Sequence, residues 1–331
     1  MPRSTMTTSG PSRRAALLGS GALLLSAPAQ AADYPSRTVR IVVPYPAGGS
    51  NDIVARILAQ KLAERNGSGF IVDNRSGANG NIGARAVAES DPDGYTLLLT
   101  APPPLTINNA LYADMKYDAK SDFAPVSLVA SVPIVLSVGP ALGVGSVQEL
   151  VALAKARPGT IHFGSAGIGS TGHLAGQLFK ARTGIDIVHV PYRGEAPAIV
   201  DLMGGITQMM FNNLPSMLPQ MQAKTVKVLA VCGATRAQAL PDTPTIAESG
   251  VPDFEASAWF GLAAPAKTPG TVVAKLIADV AAILGSADVQ ARLAALGAET
   301  GAVSGEAFGR ALAAERVTWD AIIRASGAKA G

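Results

Sequence analysis

A chain of 331 residues is long enough for about two domains, and 48% hydrophobic against 15% charged side chains supplies a buried core for each. Glycine (35) and proline (23) are enriched without a fixed period, which excludes collagen-like, repeat and low-complexity architectures and asks for many tight turns. The formal charge of +3 comes entirely from Arg3, Arg13 and Arg14 in an acid-free stretch of 31 residues. The remainder is balanced at 24 basic and 24 acidic residues and lacks the basic stripe that a nucleic-acid partner needs.

The N-terminus carries the three parts of an export signal: Arg13-Arg14, an apolar run over 15–25, and the small residues Ala29-Gln30-Ala31. Cleavage is expected near Ala31, releasing a mature periplasmic chain that begins at Ala32. The apolar run is too short for a span of about 20 residues, no later segment reaches about 18 uninterrupted apolar residues, and no cysteine follows the signal to take a lipid, so no membrane anchor is expected. The single cysteine, Cys232, excludes an intrachain disulfide and sits in an apolar run that reads as a buried strand.

From there, short β-branched runs alternate with longer helical stretches, the pattern of parallel sheets wrapped by helices. Strands are expected over 38–43, 70–74 and 95–100, with helices over 50–64 and 81–88 between them. A second series follows: helix 147–156, strand 161–164, helix 171–182, strand 185–190, helix 196–203, and strands 208–211 and 226–232. The apolar stretch 126–138 is long enough to leave one sheet and enter another. The segment 251–262 reads as the return crossing, and helical periodicity then runs to the end. The expected fold class is therefore α/β: two doubly wound sheets joined by two crossover strands around a ligand cleft, a two-lobed, type II-like binding-protein architecture. The expected division is a discontinuous first lobe over 32–132 plus 255–331 and a second lobe over 133–254.

Three strand-to-helix junctions are rich in glycine and small polar residues: 46–52, 77–83 and 164–172. Each opens a helix where backbone N–H groups and the helix dipole favour an anion. The same residues also serve as ordinary turn and N-cap residues. The third junction contains Gly167-x-Gly169-x-x-Gly172, a dinucleotide fingerprint in form, which keeps an NAD(P)-dependent oxidoreductase as the alternative. Its ribose-binding acid is missing, since the next strand ends in Val190-Pro191-Tyr192-Arg193. Neither Ser165 nor Ser170 has the glycine two positions earlier that a nucleophile elbow needs, since Phe163 and Ile168 stand there, and His162, His173 and His189 lack metal-ligand spacing. No catalytic residue, metal or cofactor is expected. His162 and His189 read as packed strand residues. His173, in the first turn after the glycine loop, either lines the cleft or packs behind it. Asp52 reads as a residue that caps or buries at the start of the first helix.

The run Pro44-Tyr45-Pro46-Ala47-Gly48-Gly49-Ser50-Asn51-Asp52 resembles the opening signature of the Bug receptors, the extracytoplasmic solute-binding proteins of tripartite tricarboxylate transporters. The resemblance continues through 72–83, 164–174, Val190-Pro191-Tyr192-Arg193-Gly194, Leu240-Pro241-Asp242-Thr243-Pro244-Thr245 and 259–265, nearly the whole mature chain. It implies a non-enzymatic receptor that closes its two lobes on a small carboxylate-bearing molecule, as a monomer, and delivers it to membrane transporter subunits or a sensor kinase. It also implies a first grip from Tyr45, Pro46, Ala47, Gly48 and Gly49. A second comes from Ser165, Ala166, Gly169, Ser170 and Thr171, with Asn81 and Asn212 as wall residues. Two stretches depart from the family pattern, Ala101-Pro102-Pro103-Pro104 and Asn79-Gly80, and both fall near the expected cleft, where they would shape the ligand.

Overall fold

The computed structural model describes residues 1–6, 34–301 and 303–326. The apolar part of the export signal and its cleavage point lie outside these residues. Met1–Ser36 forms a unit of its own, whose described part holds no helix or strand, and the fold is that of Arg37–Gly331.

The first half is a pair of βαβ units. β1 (Val39–Val43) leads into α1 (Ser50–Asn66), β2 (Phe70–Asn74), α2 (Asn81–Ala88) and β3 (Thr96–Thr100). β1 lies parallel to both β2 and β3 and is buried along its length apart from Arg40, as a strand covered on both faces must be. A π-helical turn, Pro103–Ile107, and the short α3 (Asn108–Leu111) follow. β4 (Phe123–Val138) then runs for 16 residues into the second half. There α4 (Val147–Ala156), β5 (Ile161–Ser165), α5 (Thr171–Thr183), β6 (Ile187–Pro191), α6 (Glu195–Met203) and β7 (Met209–Asn213) repeat the logic, with β5 parallel to β6 and β7. The chain closes with α7 (Leu214–Gln222), β8 (Lys227–Val231), β9 (Ser257–Pro265), α8 (Gly270–Leu284), α9 (Ala287–Ala295), β10 (Glu299–Thr300) and α10 (Gly305–Ser326).

The strand order is β2-β1-β3-β9-β4-β7-β5-β6, with β8 and β10 also on β4. β4 is shared: it pairs with β9 as far as Pro133 opposite Ser257, and with β7 from Ile134 opposite Asn213. Pro133, which has no N–H to give, stands where the partner changes. The return path runs beside it, through Cys232 N–H to Ile134 O and Ala256 N–H to Cys232 O, both 2.8 Å. This is the α/β architecture expected, two doubly wound sheets joined through a common strand and its return.

Each half has its own core. Val42, Ala84, Val87, Leu98 and Ala263 enclose Phe308 and Leu312 of α10, so the C-terminal helix completes the first half. Val135, Ala198, Leu202, Met210, Met217 and Val231 form the core of the second. Arg316 ties α10 down by donating from Nε to Leu105 O (2.7 Å) and from Nη2 to Ala119 O (2.9 Å).

Two elements differ from the sequence expectation. α7 occupies a stretch read as a connection, because Pro215 and Pro219 break the helical signal; Pro215 is accommodated in the first turn, where its missing N–H costs nothing. β10 interrupts the C-terminal helices with two residues paired to Ala130 and Ser131, too few to show a period of two.

The loop after β1 is held by Asp52. Its carboxylate accepts Gly48 N–H (3.0 Å), Asn74 Nδ2–H (3.0 Å) and Arg56 Nε–H (3.0 Å). Burial pushes this carboxyl up, but Arg56, Gly48 and Asn74 outweigh burial and hold it below its ordinary value. The stabilisation it adds is therefore complete above the unfolded carboxyl value near ~3.9 and lost as pH falls through the lower folded value. Asp52→Asn should cost about 2 kcal/mol in urea unfolding at pH 7. The difference from the parent should shrink as pH is lowered below about 4, and an undiminished difference at pH 3 would show that Asp52 acts through shape alone.

Candidate functional site

The carboxyl ends of β1, β3, β5 and β7 converge between the halves. They enclose a cavity of about 30 Å³ lined by Tyr45, Pro46, Gly49, Ser50, Asn51, Ala101 and Pro103 on one side. Ala166, Ser170, Thr171, Gly172, Glu195, Phe211 and Asn213 form the other. That volume holds a water molecule or two. A second cavity of about 240 Å³ adjoins it, sharing Tyr45 and Ala166, and is walled by Gly77, Ala78, Asn79, Gly80, Tyr112, Ile168, Tyr192 and Arg193.

The walls are close because glycines let the halves meet. Gly194, at φ 134°, faces Pro46, and a Cβ there would run into the Pro46 ring. Gly169, at φ 79°, faces Leu111 and the Asn79 amide in the same way. Both positions combine a backbone conformation that favours glycine with a close approach from the opposite half.

Several polar groups in this region are buried and have no hydrogen-bond partner in the structure: Tyr45 Oη, Asn51 Oδ1, Asn213 Oδ1 and, in the adjoining cavity, Asn79 Oδ1. Leaving such groups unsatisfied costs about 1–3 kcal/mol each, which sets this region apart from the cores of the two halves. Burial raises the Tyr45 hydroxyl far above its ordinary value, and it remains a hydroxyl at neutral pH.

Of the residues expected at the site, Tyr45, Pro46, Gly49, Ala166, Ser170 and Thr171 line the small cavity. Ala47 and Gly48 stand on an exposed rim, with Gly48 N–H committed to Asp52. Asn81 supports the 77–80 loop from behind, its Oδ1 accepting from Asn108 Nδ2 (2.7 Å) and Tyr117 Oη (2.9 Å). Ser165 is fully buried, bonded to Gly167 N–H (3.1 Å) and standing 2.7 Å from His189 Nε2. Gly169 N–H is also committed, to His173 Nδ1 at 3.1 Å. Asn212 points to the rear and donates to Asn213 O, while its neighbour Asn213 faces the cavity.

His173 therefore packs behind the glycine loop. Its ring lies 4.1 Å from that of His189, centroid to centroid, and both stack near Phe163. Burial pulls His173 down to about 4; burial and the neighbouring His173 take His189 to about 3, so both rings are neutral at pH 7. Only a neutral His173 can accept the Gly169 N–H at Nδ1.

Ala101 and Pro103, expected near the cleft, line it, as do Ser50, Asn51 and Gly172 of the glycine-rich junctions; sequence reasoning missed Phe211, Asn213 and, above all, Glu195. The Glu195 carboxylate receives Ser50 N–H (3.0 Å), Ser216 Oγ–H (3.1 Å) and Asn213 N–H (3.1 Å). It is the first residue of α6 and follows Gly194 directly, an acid in a helix's first turn that signalled a local dipole partner but not its distant ones. Among the described residues no group of three or more His, Cys, Asp or Glu is placed to hold a metal ion, and no helix is long and apolar enough to cross a membrane.

Residues 54–328 match the family described as tripartite tricarboxylate transporter family receptor, TctC. BugT of Bordetella pertussis is 38% identical over 306 residues, 92% of this chain and 94% of that protein. Among solved structures, Rpa4515 of R. palustris, determined with adipate, is 42% identical with a TM-score of 0.87 over 89% of this chain and 99% of that one. The periplasmic binding protein BugD is 34% identical, with a TM-score of 0.85 over 89% and 99%. MatC from Rhodopseudomonas palustris, with bound malate, is 30% identical with a TM-score of 0.82 over 88% and 100%. The two-lobed α/β fold, the cleft between its halves and these matches agree, and the chain belongs to the Bug (TctC) family of solute-binding receptors, which are not enzymes.

Proposed function

We propose that this receptor binds a small carboxylate-bearing molecule in the interlobe cleft, across the small cavity and the one of about 240 Å³ that adjoins it, as a monomer in the periplasm, and passes it to a tripartite tricarboxylate-type transporter or a sensor. The observation that carries the reading is the start of α5, whose first-turn residues Thr171 and Gly172 face the cavity, in a fold whose relatives include structures determined with adipate and malate. The first lobe is 32–132 plus 255–331 and the second 133–254.

The ligand carboxylate sits against the start of α5. Ser170 caps that helix by accepting His173 N–H at 3.3 Å, and Thr171 and Gly172 in the first turn face the cavity. Aligned N–H groups bind a carboxylate through charge-assisted bonds without a cationic side chain. Tyr45, Pro46, Gly49 and Ala166 close over the bound molecule. Ser165, Gly169, Asn81 and Asn212 act behind them, and Ala47 and Gly48 form the rim. A dinucleotide is not the ligand: Gly167 and Gly169 of its fingerprint have their N–H groups committed to Ser165 and His173.

A thermal-shift screen of the mature protein tests the reading. At ~100 times its dissociation constant a ligand adds about 2.7 kcal/mol to the native state, a rise of about 4–5 °C for a chain of this length. At least one aliphatic or hydroxy carboxylate should give that rise and its full amide should not; equal shifts with acid and amide, or a shift with NAD(P), would defeat it. Gly194→Val should lower the melting point of the unliganded protein, because the added Cβ meets the Pro46 ring and the backbone φ of 134° disfavours any side chain. An unchanged melting point would mean that this approach of the halves is not part of the resting structure. Finally, the depressed His173 and His189 predict that stability falls as pH drops from ~6.5 to ~4, since each unfolded ring takes up a proton that the folded one refuses. His173→Gln should reduce that slope and leave the His189 part of it, and an unchanged slope would assign it elsewhere.

A further inference from the structure

Three helices begin around one carboxylate. Glu195 opens α6; its Oε2 takes the Ser50 N–H that starts α1 and the Ser216 hydroxyl in the first turn of α7; its Oε1 takes the N–H of Asn213, the residue that precedes α7. Ser216 N–H in turn donates to Ser50 Oγ at 3.2 Å, closing the ring between the lobes. α1 has 17 residues, α6 and α7 nine each, so every one is long enough to present a dipole end. Donors from the starts of α1 and α7 favour an anion at this position, and the chain's own side chain occupies it.

The groups beside it include two buried acceptors. Asn51 is 6% exposed and Asn213 5%, and the Oδ1 of each is an acceptor without a donor. Together with Glu195 they make this end of the cavity rich in acceptors, and no lysine or arginine is among the lining residues. A second negative charge brought here would meet a fixed one with its donors already used.

We propose that Glu195 is a specificity-determining residue, a resident anion that fills the seat shared by α1 and α7, sends the ligand's carboxylate to the start of α5 and selects a neutral hydrogen-bond donor at its own end. The ligand class is then a carboxylate bearing a hydroxyl or primary amide at the far end, in preference to the matching dicarboxylate. This rests on the carboxylate-receptor reading above.

Two measurements test it. The first compares adipate and malate with their monoamides, by calorimetry, on the parent and on Glu195→Gln. The parent should favour a monoamide over its diacid by about ten-fold or more, and the substitution should shift that ratio toward the diacid by about ten-fold, 1.4 kcal/mol. A ratio equal in the two proteins overturns the proposal. The second needs no ligand. Glu195→Ala vacates the seat, and its melting temperature should rise when sodium acetate replaces sodium chloride, whereas those of the parent and Glu195→Gln should not. Absence of that rise, or failure of the alanine variant to fold in either salt, overturns the proposal even if no adipate or malate compound binds. Failure of the receptor reading is distinct: it is the absence of any carboxylate that stabilises the parent.

Discussion

A strand that belongs to two sheets must serve two sets of partners with one backbone, and β4 does so for the whole molecule. It hydrogen-bonds to β9 and β10 in one half and to β7 and β8 in the other. Its residues are buried on either side of the change: Val129, Ala130 and Val132 in the first sheet, Ile134, Val135 and Leu136 in the second. The ladder is not uniform. Register shifts between Pro125 and Ser127, between Leu128 and Ala130, and between Leu136 and Ser137 add local twist, and Pro133 marks the change of partners. Because both halves are built outward from this strand and its return, the carboxyl ends of their parallel strands are brought face to face, and the cavity lies between them.

What happens in that space is decided by which backbone donors remain. Glycine-rich junctions present many N–H groups, yet several are consumed internally: Gly48 by Asp52, Ser50 by Glu195, Gly167 by Ser165 and Gly169 by His173. Each such bond fixes a loop conformation at the expense of a possible ligand contact. The result is a rigid frame whose free polarity is concentrated in a few side chains, Tyr45, Asn51, Asn79 and Asn213. The two neutral histidines follow the same logic, since Phe163 and the stacked rings exclude the water that would charge them.

Periodicity was sufficient for much of this. The expected limits of 70–74, 81–88 and 147–156 coincide with β2, α2 and α4, because each is bounded by glycine, asparagine, serine or proline punctuation. α7 was hidden by its two prolines. Among the site residues, Asn212 and Asn213 show the limit of a pattern argument: neighbours on a strand face opposite sides, so an error of one position exchanges the cavity for the core. Glu195 escaped for another reason. Its decisive donor, Ser50, is 145 residues away, and nothing in a linear reading brings an acid that opens one helix to the start of another in the other lobe. The family signature led the eye to Gly194 and stopped there.

The small cavity has no cationic side chain in its walls. A receptor that relies on a lysine or arginine attracts its ligand from beyond contact, and loses part of that attraction as counter-ions gather. Here the attractive elements are dipoles of short reach, and the one full charge in the walls is negative. On the reading proposed above, the small cavity itself adds little attraction beyond contact, and the salt-sensitive part of any steering falls to Arg193 in the wall of the adjoining larger cavity.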